Sequence, residues 1–320
     1  MRDKTIQLDE AIRNYVKKGC SISFGGFTIN RNPMAAIHEI IRQGIGNLHV
    51  YMHSGGQGFD LLVGAGLVEN AEIAYGANGR YASTCVNFRD AVENGDIRVE
   101  DYSNFHMVLR FLGGAMGVPF LPTKSGLGTD IMARRGFDPE FRKESGRVLE
   151  EKMIEMVNPF DPDSGEKVAL VPSINPDVTI VHAQKADPEG TVRVEGLTFA
   201  DEEQIKSARN VIVTCEELVG ADELRREPDR NLVPSLNVDA VVHVPFGAHP
   251  TACLNYYDYD PEHLKLYCNL AREEGEFENY LDEYVLGVEV FEEYLQKVGV
   301  ETLRGLLAGS DTGYSPGLER

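Results

Sequence analysis

The chain has 320 residues, 42% of them hydrophobic and none of them Trp, with a formal net charge of -20. That apolar share is enough to build a packed core, so the chain is no disordered tail. The acidic balance argues against nucleic acid or an anionic membrane as a partner, because both need clustered Lys and Arg.

No apolar run is long enough to span a bilayer, and charges interrupt the N-terminal stretch MRDKTIQLDEAIRNYVKKG too often for a signal peptide. The five cysteines Cys20, Cys85, Cys215, Cys253 and Cys268 lie far apart. Their odd number and the lack of a CxxC pair argue against a disulfide framework and against a structural zinc site. They read as reduced thiols of a cytoplasmic protein.

Apolar Ala11, Ile12, Tyr15 and Val16 recur at helical spacing within Asp9 to Lys18, and Gly19 can stop that helix. Cys20 to Phe24 reads as a short buried strand. It runs into the loop GGFTINRN, after which Asn32 is a candidate N-cap and Pro33 a candidate first helical residue. Ala36, Ile37, Ile40 and Ile41 form the next apolar stripe, ended by Gly44. The stretch Asn47 to His53 reads as a second strand. Strand, loop, helix and strand make a βαβ unit, which predicts a parallel sheet covered by helices.

The pattern continues down the chain. Ala71 to Ala77 is strand-like, Ser83 to Gly95 and Asn104 to Gly117 are helix-like with glycine stops, and Val118 to Pro122 is a short extended piece. Further strands are expected at Lys167 to Ile174, Asp177 to Gln184, Thr191 to Gly196, Asn210 to Glu217 and Val238 to Gly247. From Pro261 onward the chain reads as helical and acidic. No repeat or low-complexity tract interrupts it. The expected architecture is one α/β domain over residues 1–320, an open and mainly parallel sheet flanked by helices, with 261–320 as a helical tail.

Glycines cluster at three places. Gly25 and Gly26 follow the first strand, Gly55 and Gly56 follow the second within HSGGQGFD, and Gly126 and Gly128 lie in SGLGTD. Loops at the carboxyl ends of neighbouring strands form the usual ligand crevice of an open α/β sheet. Bare backbone N–H groups there can hold an oxyanion, or the glycines can simply make tight turns. The loops match neither GxGxxG nor the phosphate-binding P-loop, so a nucleotide fold of those kinds gains little support.

The residues GGFTINRNP (Gly25 to Pro33), VPFLP with GLGTD, NPF (Asn158 to Phe160), VTIVHAQKADPEGTVR (Val178 to Arg193), VTCEEL (Val213 to Leu218) and VDAVV with GAHP (Gly247 to Pro250) carry a family resemblance. Over nearly its whole length the chain resembles the A (alpha) subunits of family I coenzyme A transferases, in the glutaconate-acting branch. The 3-oxoacid branch places a glycine two residues before the loop proline. Here that position is Arg31, which puts an acetoacetate-type substrate in doubt.

The resemblance implies an A (alpha) chain that works with a B (beta) chain, in a heterotetramer or heterooctamer. Together they would move CoA between an acyl-CoA and a small dicarboxylic acid such as glutaconate. It implies acyl-CoA and coenzyme A as substrates and no permanently bound cofactor. The chemistry would be ping-pong nucleophilic catalysis through a glutamyl-CoA thioester. On that reading Gly25 and Gly26 bring backbone donors to the developing oxyanion. Phe27, Thr28, Asn30, Arg31, Ser54, Gly55, Gly56, Gly128 and Thr129 contact substrate. Arg31 is weighed as a grip on a distal carboxylate, since Arg binds carboxylates bidentately, against plain exposure or contact with a CoA phosphate.

In the family the nucleophilic glutamate sits in a Ser-Glu-Asn-Gly stretch of the B (beta) subunit. VENG (Val92 to Gly95) imitates it, but Val92 replaces the serine and Glu93 reads as a solvated residue at a helix end. The acyl-carrying glutamate is therefore expected on a second chain. Glu100 is the better pocket carboxylate; it follows a short β-like run and precedes Ser103, a candidate N-cap. A related heteromeric hydrolase of steroid-ring degradation uses a glutamate of its A chain near this position, so a CoA-thioester or ring-cleaving hydrolase with Glu100 as base is the rival enzyme reading. A surface acid capping the following helix is the plainer one. A third reading is a non-catalytic acyl-CoA-binding subunit. Glu216 reads as a surface acid and His53, His182 and His249 as structural. No His, Asp or Glu grouping has metal-ligand spacing.

Overall fold

A computed structural model describes residues 2–273 and 275–318 of the chain. Helix α1 (Leu8–Tyr15) buries Ala11 and Ile12 and leads into strand β1 (Ser21–Phe24), whose side chains are all buried. Helix α2 (Met34–Arg42) carries the predicted apolar stripe and returns the chain to β2 (Leu48–Gly55). Next come α3 (Gln57–Gly64), β3 (Val68–Gly76), α4 (Val86–Asn94), β4 (Arg98–Asp101) and α5 (Asn104–Met116). A side excursion follows: β5 (Phe120–Thr123), α6 (Asp130–Ala133), α7 (Pro139–Glu144), β6 (Ile154–Val157) and β7 (Lys167–Pro172). The chain then rejoins the main sheet through β8 (Val178–Ala186), β9 (Val192–Arg193), α8 (Asp201–Ser207), β10 (Asn210–Leu218), α9 (Ala221–Arg225) and β11 (Ala240–His243). Helices α10 (Pro261–Leu270), α11 (Glu276–Leu281), α12 (Phe291–Val298) and α13 (Val300–Leu306) complete it.

The main sheet has the order β11-β10-β8-β1-β2-β3-β4 and every one of those pairings is parallel; β9 adds an antiparallel edge to β8. The chain winds outward from β1 toward β4, then returns to the other side of β1 as β8. The strand order therefore reverses between β1 and β8, the position where open α/β sheets bind ligands beyond the strands' carboxyl ends. One large core fills the space between the sheet and the α2, α3 and C-terminal helices, including Ile37, Ile40, Phe59, Tyr267, Tyr280 and Phe291. A smaller core, with Tyr51, Tyr102, Met107 and Phe111, lies under α5 on the opposite face. No helix among the described residues is long and apolar enough to cross a membrane.

Several local expectations need correction. Asn32 does not cap α2: Pro33 takes the cap position without a side-chain bond, and Asn32 Nδ2 donates instead to the carbonyls of Thr28 at 3.1 Å and Asn30 at 3.2 Å. The glycine run after β2 is itself the entrance to a helix, α3, whose two glycines among eight residues weaken the periodic signal. Strand β6 escapes sequence detection because all four of its side chains are exposed, which leaves no alternation to read. The run from Val238 is cut short at His243, because the chain turns sharply and Phe246 adopts φ 58°. Strand β9 keeps only two residues of the predicted six-residue run, and α8 has no counterpart among the expected elements.

Candidate active site

The loop after β1 is built by close approach. Gly26 adopts φ +85°, and a Cβ placed there would meet the Asn30 carbonyl oxygen at 2.4 Å; a Cβ on Gly25 would meet Val181 Cγ1 at 2.7 Å. The turn closes on itself through Phe27 N–H to Asn30 O and Asn30 N–H to Phe27 O, each 2.8 Å. Both glycine amides are engaged by the protein. Gly25 N–H donates to Ile180 O at 2.9 Å, and Gly26 N–H donates to Asp201 Oδ1 at 2.9 Å. This corrects the expectation of Gly25 and Gly26 as oxyanion donors: in this arrangement the glycines serve packing, and α8, which supplies Asp201, has claimed the amide.

Arg31 is likewise internal. It is 3% exposed, and its guanidinium donates to Asp201 Oδ2 at 2.7 Å, to His182 O at 3.0 Å and to Leu197 O at 2.9 Å. Its φ is +48°, a left-handed conformation that favours glycine. Arg31 tolerates it because three acceptors fix the side chain. The expectation of Arg31 as a free carboxylate grip is corrected accordingly: Nη1 is already engaged by Asp201 and the His182 carbonyl, and Nη2 by the Leu197 carbonyl.

The second glycine loop packs directly on the first, as expected from the topology. Thr28 N–H donates to Ser54 O at 3.3 Å, and a Cβ on Gly56 would lie 1.8 Å from Thr28 O. A Cβ on Gly55 would press on Phe59 at 2.9 Å. Ser54 is buried and donates to Asn104 Oδ1, at the start of α5, at 3.1 Å. From that first turn of α5, His106 Nε2 bonds the carbonyl of Ser125 at 3.0 Å. Gly128 and Thr129 follow, both exposed, with Thr129 Oγ1 donating to Gly126 O at 2.6 Å. The third loop is thus linked to the first two through α5.

The reachable face of this region is more apolar than polar. Phe27 stacks on Phe199 with ring centroids 4.7 Å apart and lies 5.8 Å from the His53 ring. Burial pushes the His53 imidazole below its usual pKa, and its Nδ1 has no partner among the described residues. A cavity of about 280 Å³ opens beside the loop, with Ile29, Asn30, Arg31, Leu197, Phe199 and Tyr259 among its walls. Asn30 lines it directly, whereas Thr28, Ser54, Gly55 and Gly56 stand behind it as buried support. Phe199, Leu197 and Tyr259 carry no motif that would draw attention to them in the sequence.

Beneath the cavity the ends of β8 and β10 hold a buried polar group. His182 Nδ1 and Nε2 bond Thr214 Oγ1 at 2.8 Å and Glu216 Oε1 at 2.6 Å, while Phe246 N–H and Tyr257 O–H donate to the same carboxylate. Glu216 is 5% exposed, so the expectation of a surface acid is corrected. Cys253 approaches this pair closely enough that the three ligand-type atoms lie within 4.8 Å of one another. Burial, helped by Glu216, holds the Cys253 thiol well above its usual pKa, and the Glu216 oxygens are occupied by three donors. The donor set fits an internal hydrogen-bond network better than a metal. His249 is also structural, held between Tyr294 O–H at 2.7 Å and Asp260 at 3.1 Å.

Glu100 lies in β4 beside Glu72 of β3 and is 0% exposed. Its carboxylate accepts from Gly136 N–H at 2.7 Å and from Arg142, with Lys152 Nζ at 3.7 Å. The surface-acid reading is therefore corrected, and a base free to meet water is not what the geometry offers: two cations and an amide enclose it. Glu93 is exposed near the end of α4, before the left-handed cap Gly95, as expected. A roomier cavity of about 520 Å³ lies near this cluster, at the amino ends of β1, β8 and β10. Its arginines Arg110, Arg142, Arg147 and Arg209 each face a carboxylate of the chain within 4 Å. Position decides in favour of the smaller cavity, which stands at the strands' carboxyl ends where the sheet order reverses.

The coenzyme A transferase family model matches residues 5–244, three quarters of the chain. The chain belongs to the coenzyme A transferase family. As a family member it is 39% identical to the A (alpha) chain of glutaconate CoA-transferase of Acidaminococcus fermentans, over 97% of both chains. It superposes on the crystal structure of glutaconate coenzyme A-transferase from that organism with a TM-score of 0.94, covering 98% of each chain. It is also 33% identical to the A (alpha) chain of 3-oxoadipate CoA-transferase of Pseudomonas knackmussii, over 92% of this chain and 97% of that one. A cholesterol ring-cleaving hydrolase subunit of Rhodococcus jostii is 28% identical over 90% of this chain and 94% of its own. The transferase fold expected from the motifs, with its parallel sheet and helical C-terminal region, is the fold found.

Proposed function

We propose that this chain is the A (alpha) component of a heteromeric CoA-transferase that moves CoA between an acyl-CoA and a small dicarboxylic acid such as glutaconate. The likeness to the Acidaminococcus chain, 39% identical with a TM-score of 0.94, carries the reading. The cavity beside the glycine loop, at about 280 Å³, suits a short acyl group rather than a bulky ring system. The five buried, unpaired cysteines support a cytoplasmic setting.

In this reading the attack on the thioester carbonyl comes from a glutamate of the partner B (beta) chain. The C–S bond breaks, CoA leaves as thiolate, and an acyl-glutamyl anhydride remains. The thiolate then attacks the glutamyl carbonyl and releases the first acid as its carboxylate. The second acid reverses both steps and leaves as a new thioester. This chain contributes the first and second glycine loops, which shape the acyl pocket around Phe27 and Asn30. Arg31 and Asp201 fix the loop, while Gly128 and Thr129, exposed in the third loop, are the candidate substrate contacts reached through α5. Assembly with the partner follows from this division of labour, as a heterotetramer or heterooctamer.

The test uses the native complex incubated with acyl-CoA alone, followed by borohydride reduction of any enzyme thioester and peptide mapping. The reduced glutamate is expected on the partner chain. Finding the modified glutamate within this chain instead, at Glu100 or elsewhere, would overturn the split-site reading.

A further inference from the structure

This acidic chain carries, beyond the carboxyl end of β3, an exposed arginine that no carboxylate among the described residues neutralises. Most of its arginines are paired with carboxylates, as Arg31, Arg110, Arg142 and Arg147 are. Arg80, in the loop after β3, is exposed and has no carboxylate within 4.0 Å among the described residues. It is held on an aromatic mount: its guanidinium lies 5.5 Å from the Tyr81 ring and 5.9 Å from the Tyr259 ring, and it donates to Tyr259 O–H at 3.2 Å. Cation–π contact and a hydrogen bond fix such a side chain without neutralising it.

The same loop lies next to the candidate active site. A Cβ on Gly79 would sit 3.4 Å from Ile29 of the glycine loop, and Tyr259 is a wall of the 280 Å³ cavity. A second arginine without a carboxylate partner among the described residues, Arg272 just past the end of α10, donates to the Tyr81 carbonyl at 3.0 Å. Two such guanidinium groups thus meet at Tyr81, and Arg80 also reaches Tyr259, a wall of the cavity. Arginine is suited to this task because its planar fork binds two oxygens of a phosphate or carboxylate at once.

We infer that Arg80, seconded by Arg272, grips an anionic oxygen group of the substrate beside the cavity. The inference rests on the transferase reading above. Two sources share the required chemistry: the phosphates of the acyl-CoA and the second carboxylate of a dicarboxylic acid. The grip supplies the local attraction that a chain of net charge -20 otherwise withholds from either.

The experiment compares the native complex with complexes carrying Arg80→Gln, Arg80→Lys and the Arg80→Gln/Arg272→Gln double variant. KM is measured for an acyl-CoA and for the matching acyl-pantetheine, and separately for a dicarboxylic acid and its monocarboxylic analogue. Arg80→Gln is expected to raise KM about tenfold for the anionic member of one pair and much less for the member lacking that anion, with Arg80→Lys in between. An effect confined to the acyl-CoA pair assigns the grip to phosphate; an effect confined to the acid pair assigns it to carboxylate. Unchanged KM values in all four assays, with the native complex active, would overturn the inference. A native complex that transfers no CoA at all would instead overturn the functional reading beneath it.

Discussion

Arg31 and Asp201 meet at 2.7 Å under the glycine loop, with both side chains buried, and Asp201 simultaneously accepts the Gly26 amide. One carboxylate of α8 therefore fixes both the left-handed Arg31 and the backbone turn beside the cavity. A residue that the sequence presents as a candidate ligand grip proves to be the clamp on the loop that carries the neighbouring pocket residues.

Removing one side of that pair is expected to be costly. Asp201→Ala leaves the buried Arg31 charge without its carboxylate, with only the His182 and Leu197 carbonyls to accept from it, and the Gly26 amide without an acceptor, for which a loss of about 3–5 kcal/mol is typical. Replacing both partners, as in Arg31→Met with Asp201→Leu, is expected to recover much of the loss, because no charge is then stranded. Urea unfolding of the single and double variants measures this. A single variant within about 1 kcal/mol of the native chain would show that the pair is not the clamp described.

Gly56→Ala addresses the seam between the two glycine loops. The added Cβ would lie 1.8 Å from the Thr28 carbonyl, a backbone atom that can yield only if the whole first loop moves. Overpacking of this kind costs about 1–3 kcal/mol. The expected result is a chain that still folds, with kcat/KM of the complex reduced by a factor of roughly ten or more, because small displacements of positioning loops are strongly felt in catalysis. Full activity would mean that the first loop does not shape the site.

Glu100→Gln separates the transferase from the hydrolase reading. The native carboxylate balances Arg142 and Lys152, so neutralising it is expected to lower stability by several kcal/mol. Turnover per folded complex is expected to stay within about threefold of native, a change of well under about 1.4 kcal/mol. A variant that folds normally but loses activity by orders of magnitude would return Glu100 to a direct chemical role.

The response to acid follows from Glu72. Burial by itself would raise its carboxyl, but Arg110 at 2.6 Å and the His49 hydrogen bond at 2.9 Å outweigh that and hold it at about 2, against an ordinary 4.5. A depressed folded-state value means that the stabilisation is present above the unfolded value and is lost as the pH falls from about 4.5 to about 2. The amount is on the order of 3 kcal/mol. Denaturation followed from neutral pH into strong acid is expected to show this limb in the native chain and a shallower one in Glu72→Gln. Parallel curves would rule out Glu72 as the source.

Much of the architecture is legible in the sequence because it rests on local physics. Apolar runs such as Ser21–Phe24 and Val178–Ala186 announce buried parallel strands, glycines such as Gly95 and Gly117 adopt the left-handed caps their positions suggest, and Ser103 caps α5 as its place before that helix predicts. The motifs from Gly25 to Pro33 and from Val178 to Arg193 carry the family. What the sequence cannot contain is partnership. Asp201 lies 170 positions from Arg31, and Tyr259 lies 179 from Arg80, so no spacing rule connects them. Whether Gly26 offers its amide to a substrate or to Asp201, and whether Glu216 and Glu100 face water or three internal donors, depends on which strands become neighbours. Burial, ion pairing and the left-handed strain at Arg31 are properties of that long-range packing. Sequence alone determined most strands of the parallel sheet and the transferase family; only the tertiary structure decided which polar groups, such as Arg31, Glu100 and Glu216, were already spoken for inside the chain.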